Sequence, residues 1–196
     1  MGKPRHPIVI LSMLFLLTAQ LGRAQFLPLN GSGKSDVTEV VTVEGFPKAI
    51  LYTHEVKWLK GMTGVEGKLS SVAKDSLAGS ISGNFEFPVY AQSGILRKMA
   101  GAISYHFTVE TKDEKYRYAF TDFLFHYYVQ DRNYKMVKTG KTKFLEDPKA
   151  AGWQKLWTDH RKTASTRVKH QIDELKLRMV ETYKEVAKAE EKKVEW

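Results

Sequence analysis

The sequence predicts one α+β domain, a curved antiparallel sheet with helices packed on one face, in the order β-α-β-β-β-β-α. Residues 77–87 and 103–110 predict the sheet, because each stretch alternates apolar with polar side chains as a half-buried strand does. Apolar residues at three- and four-residue spacing predict a helix that covers it: Val168, Ile172, Leu175 and Met179. The other face of such a sheet stays in contact with solvent.

The first 24 residues have the composition of an export signal. Lys3 and Arg5 precede an apolar run at residues 8–17, which is shorter than the about 20 residues that a membrane-spanning helix needs. The small Ala24 suits a signal peptidase, so we predict cleavage between Ala24 and Gln25, with an uncleaved anchor as the alternative. The chain is therefore expected to be periplasmic or secreted, and not membrane-spanning after cleavage.

Length and composition exclude several classes of protein. Removal of 24 residues from the 196 leaves 172, which is the usual length of one domain. The absence of cysteine rules out thiolate catalysis and cysteine-ligated zinc. The predicted signal holds three of the 31 Lys and Arg residues and none of the 22 Asp and Glu, so cleavage lowers the net charge from +9 to +6. This excess favours anionic partners without identifying one.

The first elements follow from local signals. Residues 25–35 are rich in Pro, Asn, Gly and Ser and predict a flexible lead before a domain core at 36–130. The β-branched residues of 37–44 predict the first strand. Pro47 suits the first turn of a helix that runs to about Met62, and a short strand is predicted at 69–74.

The sequence predicts which residues of the strand at 103–110 lie opposite which residues of the following strand. A tight turn at residues 112–115 would place Val109 opposite Tyr118, and apolar would then meet apolar on one face. The same register places Phe107 opposite Phe120 and Glu110 opposite Arg117. Beyond Phe120 the aromatic side chains change parity, which predicts a β-bulge near Thr121 and Asp122.

The last third of the chain predicts a basic loop and a helical region. Residues 131–146 read as a loop that could meet a lipid headgroup, an acidic polysaccharide or an acidic protein, with a plain solvated loop as the alternative. Its cations are Arg132, Lys135, Lys138, Lys141 and Lys143. Asp147 and Pro148 predict the start of helices over 147–196, part of the same domain, whose Trp153, Leu156 and Trp157 form an apolar patch.

Four segments together resemble a known family. They are the strand 37–44, the helix segment 49–58, the strand around 79–83 and the Lys-Asp-Glu-Lys-Tyr-Arg-Tyr sequence at 112–118. This layout, over roughly residues 36–129, resembles a family of secreted bacterial proteins of unknown function with a TATA-binding-protein-like fold. The resemblance implies a fold and an export route. It carries over no activity, substrate or site residue.

The resemblance does not lead us to expect a nucleic-acid partner. Architecture alone does not confer function, and the predicted exposed face lacks the basic and aromatic lining that grips a phosphate backbone.

No motif indicates catalysis, a metal ion or a cofactor. The histidines lack metal-ligand spacing, and no Gly-x-Ser-x-Gly sequence presents a nucleophile. The glycines of 79–83 alternate as in a strand, so they are better explained as room for a large neighbour than as a phosphate loop. We therefore predict no catalytic residue, no metal site and no cofactor.

The predicted solvent-facing side of the sheet is the candidate ligand-binding surface. His106 stands out on it, although a plain surface residue is the alternative. The candidate residues are Ser82, Asn84, His106, Thr108, Arg117 and Thr121.

The favoured function is a non-catalytic binding or interaction domain in the cell envelope, for an unknown partner or an anionic ligand. One alternative is a hydrolase built from His106, Asp122 and Glu110. Another is a structural subunit of an envelope assembly that shields Trp153, Trp157 and the helix seam.

Overall fold

A computed structural model describes residues 27–63, 65–91, 98–149 and 152–181. The predicted signal, with its cleavage site at Ala24 and Gln25, lies outside the described residues, as does the predicted helical region beyond residue 181. The elements are β1 Val37–Thr42, α1 Lys48–Met62, β2 Lys68–Asp75, β3 Ser80–Tyr90, β4 Met99–Lys112, β5 Lys115–Gln130, β6 Met136–Phe144 and α2 Gln154–Met179.

All pairs of neighbouring strands in this sheet are antiparallel, and five of the strands follow the order β1-β5-β4-β3-β2. The long strand β5 carries two partners on the side away from β4. Its residues 115–120 pair with β1, and its residues 124–130 pair with β6. β1 and β6 therefore lie end to end along one edge of the sheet, and β2 forms the other edge.

Both helices pack on the apolar face of the sheet, which we call the helical face. Trp58 of α1 meets Phe107 edge to face at 5.5 Å between ring centroids, and Trp157 of α2 meets Phe125 in the same way at 5.5 Å. The Trp58 indole also donates a hydrogen bond to the Gln171 backbone oxygen at 3.1 Å, which joins the two helices. The predicted α+β class with helices on one face is confirmed.

The predicted register of the central hairpin is confirmed. Val109 pairs with Tyr118, Phe107 with Phe120, and Glu110 with Arg117. The predicted bulge is also present, because Ser104 pairs with Leu124 while His106 pairs with Thr121. Asp122, at the bulge, has a φ of 56°, a left-handed conformation that re-aims the rest of β5.

The predicted basic loop at 131–146 is wrong, because Met136–Phe144 forms a sixth strand. Its middle is made of Lys, Thr and Gly with no alternation of apolar and polar residues, and all nine residues are solvent-exposed or half-buried. Backbone hydrogen bonds to β5 hold this edge strand in place, so hydrophobic periodicity gave no signal for it.

The predicted strand at 77–87 is shifted along the chain. Leu77 lies in a turn and is 90% exposed, whereas the strand itself begins at Ser80 and continues to Tyr90. Pro88 is accommodated inside the strand because it lies beyond the last pair between β3 and β2, which joins Glu86 to Lys68. Its missing N–H therefore does not interrupt that pairing.

The start of α2 and the segment before β1 also differ from the predictions. Helix α2 begins at Gln154, later than predicted, and Trp153 is 70% exposed, so it does not belong to a buried patch with Trp157. In the described part of the predicted flexible lead, the Asn30 side chain accepts hydrogen bonds from the backbone N–H groups of Ser32 and Lys34, each at 3.0 Å. This Asn-centred turn gives the segment local order.

Candidate functional site

The sheet face opposite the helices, which we call the open face, is the candidate binding surface. Neither helix packs on it, and its central side chains are half-buried by their own neighbours on the sheet. They are polar, as predicted: Ser82, Asn84, Ser104, His106, Thr108 and Thr121.

Five of the six predicted ligand-binding residues are brought together around His106. Asn84, His106 and Thr121 form one row across β3, β4 and β5, and Ser82 and Thr108 pair in the adjacent row. The Asn84 amide oxygen lies 2.9 Å from His106 Nδ1, which therefore donates. The Thr108 hydroxyl lies 3.3 Å from Nε2, within hydrogen-bonding distance. The imidazole is held in one orientation, within a surface of hydroxyl and amide groups that suits a polar ligand.

The hydrolase trio considered from the sequence is not brought together. His106 and Glu110 are four residues apart on one strand, about 13 Å along it. Asp122 lies in the bulge, where it accepts a hydrogen bond from the Thr121 hydroxyl at 3.2 Å. Both ring nitrogens of His106 already have other partners, so neither carboxylate orients this ring.

A second polar cluster, which we call the Glu86 cluster, was not foreseen. It consists of Glu86, Ser104, His126, Tyr128 and Lys138. The Glu86 carboxylate accepts hydrogen bonds from Lys138 and, at 3.1 Å, from the Tyr128 hydroxyl. The Ser104 hydroxyl lies 2.7 Å from His126 Nε2, and one Glu86 oxygen lies 3.7 Å from the same nitrogen. Side chains from β3, β4, β5 and β6 meet here.

Burial controls the protonation of the Glu86 cluster. Desolvation and the nearby Lys138 cation lower the pKa of His126, so its neutral form predominates at pH 7. Desolvation, with the Glu86 charge, raises the pKa of Tyr128 to about 12 and keeps it a hydrogen-bond donor. A Ser-His-acid relay requires the acid on the ring nitrogen opposite the serine. Glu86 approaches the nitrogen that Ser104 already contacts, so this arrangement is not such a relay.

The Glu86 cluster was missed for a topological reason. Lys138 reaches it only because β6 pairs with β5. Part of the cluster could have been predicted from the bulge, because the bulge turns His126 and Tyr128 toward the open face.

Arg117, the sixth predicted ligand-binding residue, lies apart from the others. It sits four residues from Thr121 on β5, near the turn that joins β4 to β5. There it forms an ion pair with Glu110 at 3.7 Å and lines a cavity of about 260 Å³.

The five predicted basic residues do not form one patch. Arg132 and Lys135 lie in the turn before β6, whereas Lys138 reaches Glu86 across the open face. Lys143 instead pairs with Asp147 at 2.6 Å, and this contact lowers the pKa of that carboxyl. A single anionic partner therefore does not meet all five cations on a common surface.

The described ranges hold neither a metal-binding cluster nor a membrane-spanning helix. No group of three or more His, Asp or Glu side chains there could hold a metal ion. No described helix is long and apolar enough to cross a membrane.

The fold defines a class of α+β protein in which a six-stranded antiparallel sheet carries helices on one face and a polar surface on the other. Residues 38–126 match the model of a family described as "Domain of unknown function (DUF4468) with TBP-like fold". This match confirms the resemblance and the TBP-like fold for the matched segment. Strand β6 and helix α2 lie outside the matched residues.

Similar solved structures were also found. A crystal structure of a DUF4468 family protein from Bacteroides ovatus ATCC 8483 is 17% identical, with a TM-score of 0.49, over 80% of this chain and 91% of that chain. A TBP-like protein from Parabacteroides distasonis ATCC 8503 is 16% identical, with a TM-score of 0.49, over 76% of this chain and 96% of that chain. No curated protein matches the chain.

Proposed function

We propose that this protein is an exported, non-catalytic domain that binds another molecule on the open face of its sheet. One observation carries the proposal: the helices cover one face, whereas the other presents two ordered clusters of polar side chains. A surface of this kind offers fixed donors and acceptors to a ligand at little cost in side-chain ordering. The predicted export signal supports a place in the cell envelope.

The side-chain contacts support binding rather than catalysis. His106 is held by Asn84 and Thr108, and no carboxylate touches its ring. Glu86 is held by Lys138 and Tyr128. General acid and base catalysis needs a group poised to exchange a proton with substrate in a pocket, and these groups are already committed to neighbours.

Site-specific photocrosslinking tests the binding face. A benzoylphenylalanine residue placed at Thr108, on the open face, is expected to crosslink a molecule from envelope extract. The same probe at the exposed Thr163 of α2 is the matched control and is expected to crosslink nothing specific. Crosslinking at Thr163 alone, or equal products from both positions, would show that the open face is not the binding surface.

Fractionation tests the export part of the proposal separately. The protein produced from its full sequence is expected in the envelope fraction with Gln25 as its first residue. A cytoplasmic protein that retains Met1 would contradict export, and it would leave the photocrosslinking result to be judged by itself.

A hydrolase is the second candidate, because the Ser104 hydroxyl lies 2.7 Å from a histidine nitrogen with a lowered pKa. Such a pair can activate a serine. The test is labelling with a fluorophosphonate and turnover of ester substrates, compared with Ser104→Ala. Labelling and turnover that disappear in the variant would favour the hydrolase and overturn the non-catalytic proposal.

A further inference from the structure

A small cavity lies on the open face at the end of the β4–β5 hairpin. Its volume is about 260 Å³, below the roughly 300–1,000 Å³ of sites that hold drug-sized ligands. It therefore suits a single small group. The lining residues are Val40, Glu110, Lys112, Lys115, Tyr116 and Arg117.

The cross-strand pairing concentrates positive charge at this cavity. Lys112 lies directly opposite Lys115, and Arg117 lies in the adjacent row opposite Glu110. Like charges directly opposite one another destabilise an antiparallel pair. Glu110 is shared with Arg117 in a half-exposed ion pair at 3.7 Å, so it offsets only part of this charge.

The two acidic residues between Lys112 and Lys115 in the sequence accept hydrogen bonds from residues outside the cavity. Asp113 accepts a hydrogen bond from the Lys48 backbone N–H at 2.8 Å, and Glu114 accepts one from the Gly45 N–H at 3.1 Å. Both carboxylates are thereby directed to the start of α1, away from the cavity. Within the described part of the chain, neither Lys112 nor Lys115 has an ion-pair partner.

We propose that this cavity binds a phosphate monoester group. Three cations and one carboxylate leave two net positive charges, which match the charge of −1.5 to −2 that such a group carries at pH 7. A carboxylate ligand would neutralise only one of them. The Arg117 guanidinium can donate two hydrogen bonds to phosphate oxygens, and the lysines supply further charge-assisted bonds. This inference rests on the proposed function and names the ligand class for one end of the open face.

The test is a titration of the purified protein with inorganic phosphate at constant ionic strength, followed by amide chemical shifts. Saturable shifts are expected at Lys112, Lys115 and Arg117, and acetate is expected to give much smaller ones. The double variant Lys112→Gln, Lys115→Gln should weaken phosphate binding at least about tenfold, because two of the three cations are lost. The matched control Lys162→Gln, Lys169→Gln removes the same charge from the exposed surface of α2. Equal weakening by both pairs, or no saturable shift at the hairpin, would overturn the assignment.

Two further arms distinguish the source of the phosphate group. Glucose 6-phosphate represents a soluble monoester, and phosphatidylcholine vesicles with and without phosphatidic acid represent a lipid headgroup. Binding of either probe that is weakened by the Lys112 and Lys115 changes supports the phosphate monoester class and identifies its source. If neither probe binds in this way, the class is wrong.

Photocrosslinking at Thr108 separates this inference from the function on which it rests. If the wild-type protein does not bind phosphate but still crosslinks at Thr108, the cavity assignment is wrong and the open face remains the binding surface. Phosphate binding without crosslinking at Thr108 would retain the cavity and contradict a ligand that spans the open face.

Discussion

The Asp113 carboxylate accepts a hydrogen bond from the Lys48 backbone N–H at 2.8 Å, so the β4–β5 turn caps helix α1. The residue at the helix N-cap position, Pro47, has no side-chain cap of its own. The turn of the hairpin therefore contributes side chains to both faces of the sheet. Its acids hold the start of the helix, while Lys112 and Lys115 line the cavity on the open face.

Removal of this cap is expected to destabilise the protein. Asp113→Ala should lower the free energy of unfolding by about 1 kcal/mol, because a helix N-terminal N–H loses its acceptor. Urea denaturation followed by circular dichroism measures this. Asp113→Asn is the matched control because it keeps an acceptor oxygen and should retain most of the stability. Equal losses in both variants would show that the contact with Lys48 is not the cause.

The close approach of Phe107 to Gly83 leaves no room for a larger side chain at position 83. A Cβ atom added at Gly83 would lie 2.9 Å from Phe107 Cζ and 3.3 Å from Val72 Cγ2. Gly83→Ala should therefore cost about 1–3 kcal/mol of stability through overpacking. Gly61 of α1 has nothing within 4 Å of the same added atom, so Gly61→Ala should be neutral or stabilising by up to about 1 kcal/mol. Thermal unfolding of the two variants checks the contrast.

The buried Glu55 predicts a loss of stability at alkaline pH. It is fully buried, and burial raises its pKa to about 9, although a backbone hydrogen bond at Ile81 partly opposes this shift. The unfolded chain ionises this group near pH 4.5, so its contribution is intact below that pH and is lost as pH rises toward 9. At pH 7 the loss is on the order of 3 kcal/mol.

Substitution of Glu55 provides the measurement. Urea unfolding of wild type and Glu55→Gln between pH 5 and pH 9 should show that the variant lacks this decline. The exposed Glu44→Gln is the control and should keep the wild-type slope. A wild-type slope in Glu55→Gln would contradict the ionisation of this residue as the cause.

In the Glu86 cluster, the pKa of His126 is expected to depend on the charge of Lys138. The Lys138 cation contributes to the lowered pKa of His126, so Lys138→Gln should raise that pKa toward its ordinary value. The imidazole proton resonances of His126, followed by NMR across pH 4–8, report the change. Lys141→Gln removes the same charge from the same strand and should leave the titration of His126 unaltered. A shift of equal size in both variants would indicate a general charge effect.

Part of the candidate site could be read directly from the residues. The alternation in β3 and β4 placed Asn84 and His106 on one face, and the apolar register at Val109 and Tyr118 fixed Thr121 beside His106. Side-chain periodicity of two makes such placements reliable, because a slip of one residue would expose every aromatic side chain.

Other parts depended on contacts between distant segments. Strand β6 has no apolar alternation, so only its pairing with β5 reveals it and brings Lys138 to Glu86. The acids of the hairpin turn would neutralise the adjacent lysines if sequence proximity decided their partners. The packing of α1 against the sheet instead offers them backbone N–H groups at Gly45 and Lys48.

The α+β class, the central hairpin with its bulge, and the polar face opposite the helices could all be predicted from the order of the residues. These features follow from burial of apolar side chains at fixed periods, which is a local and additive signal. The sixth strand, the Glu86 cluster and the charged cavity at the hairpin are visible only in the folded chain. Each of these depends on backbone pairing or side-chain contacts between residues far apart in the chain, and no local pattern encodes such contacts.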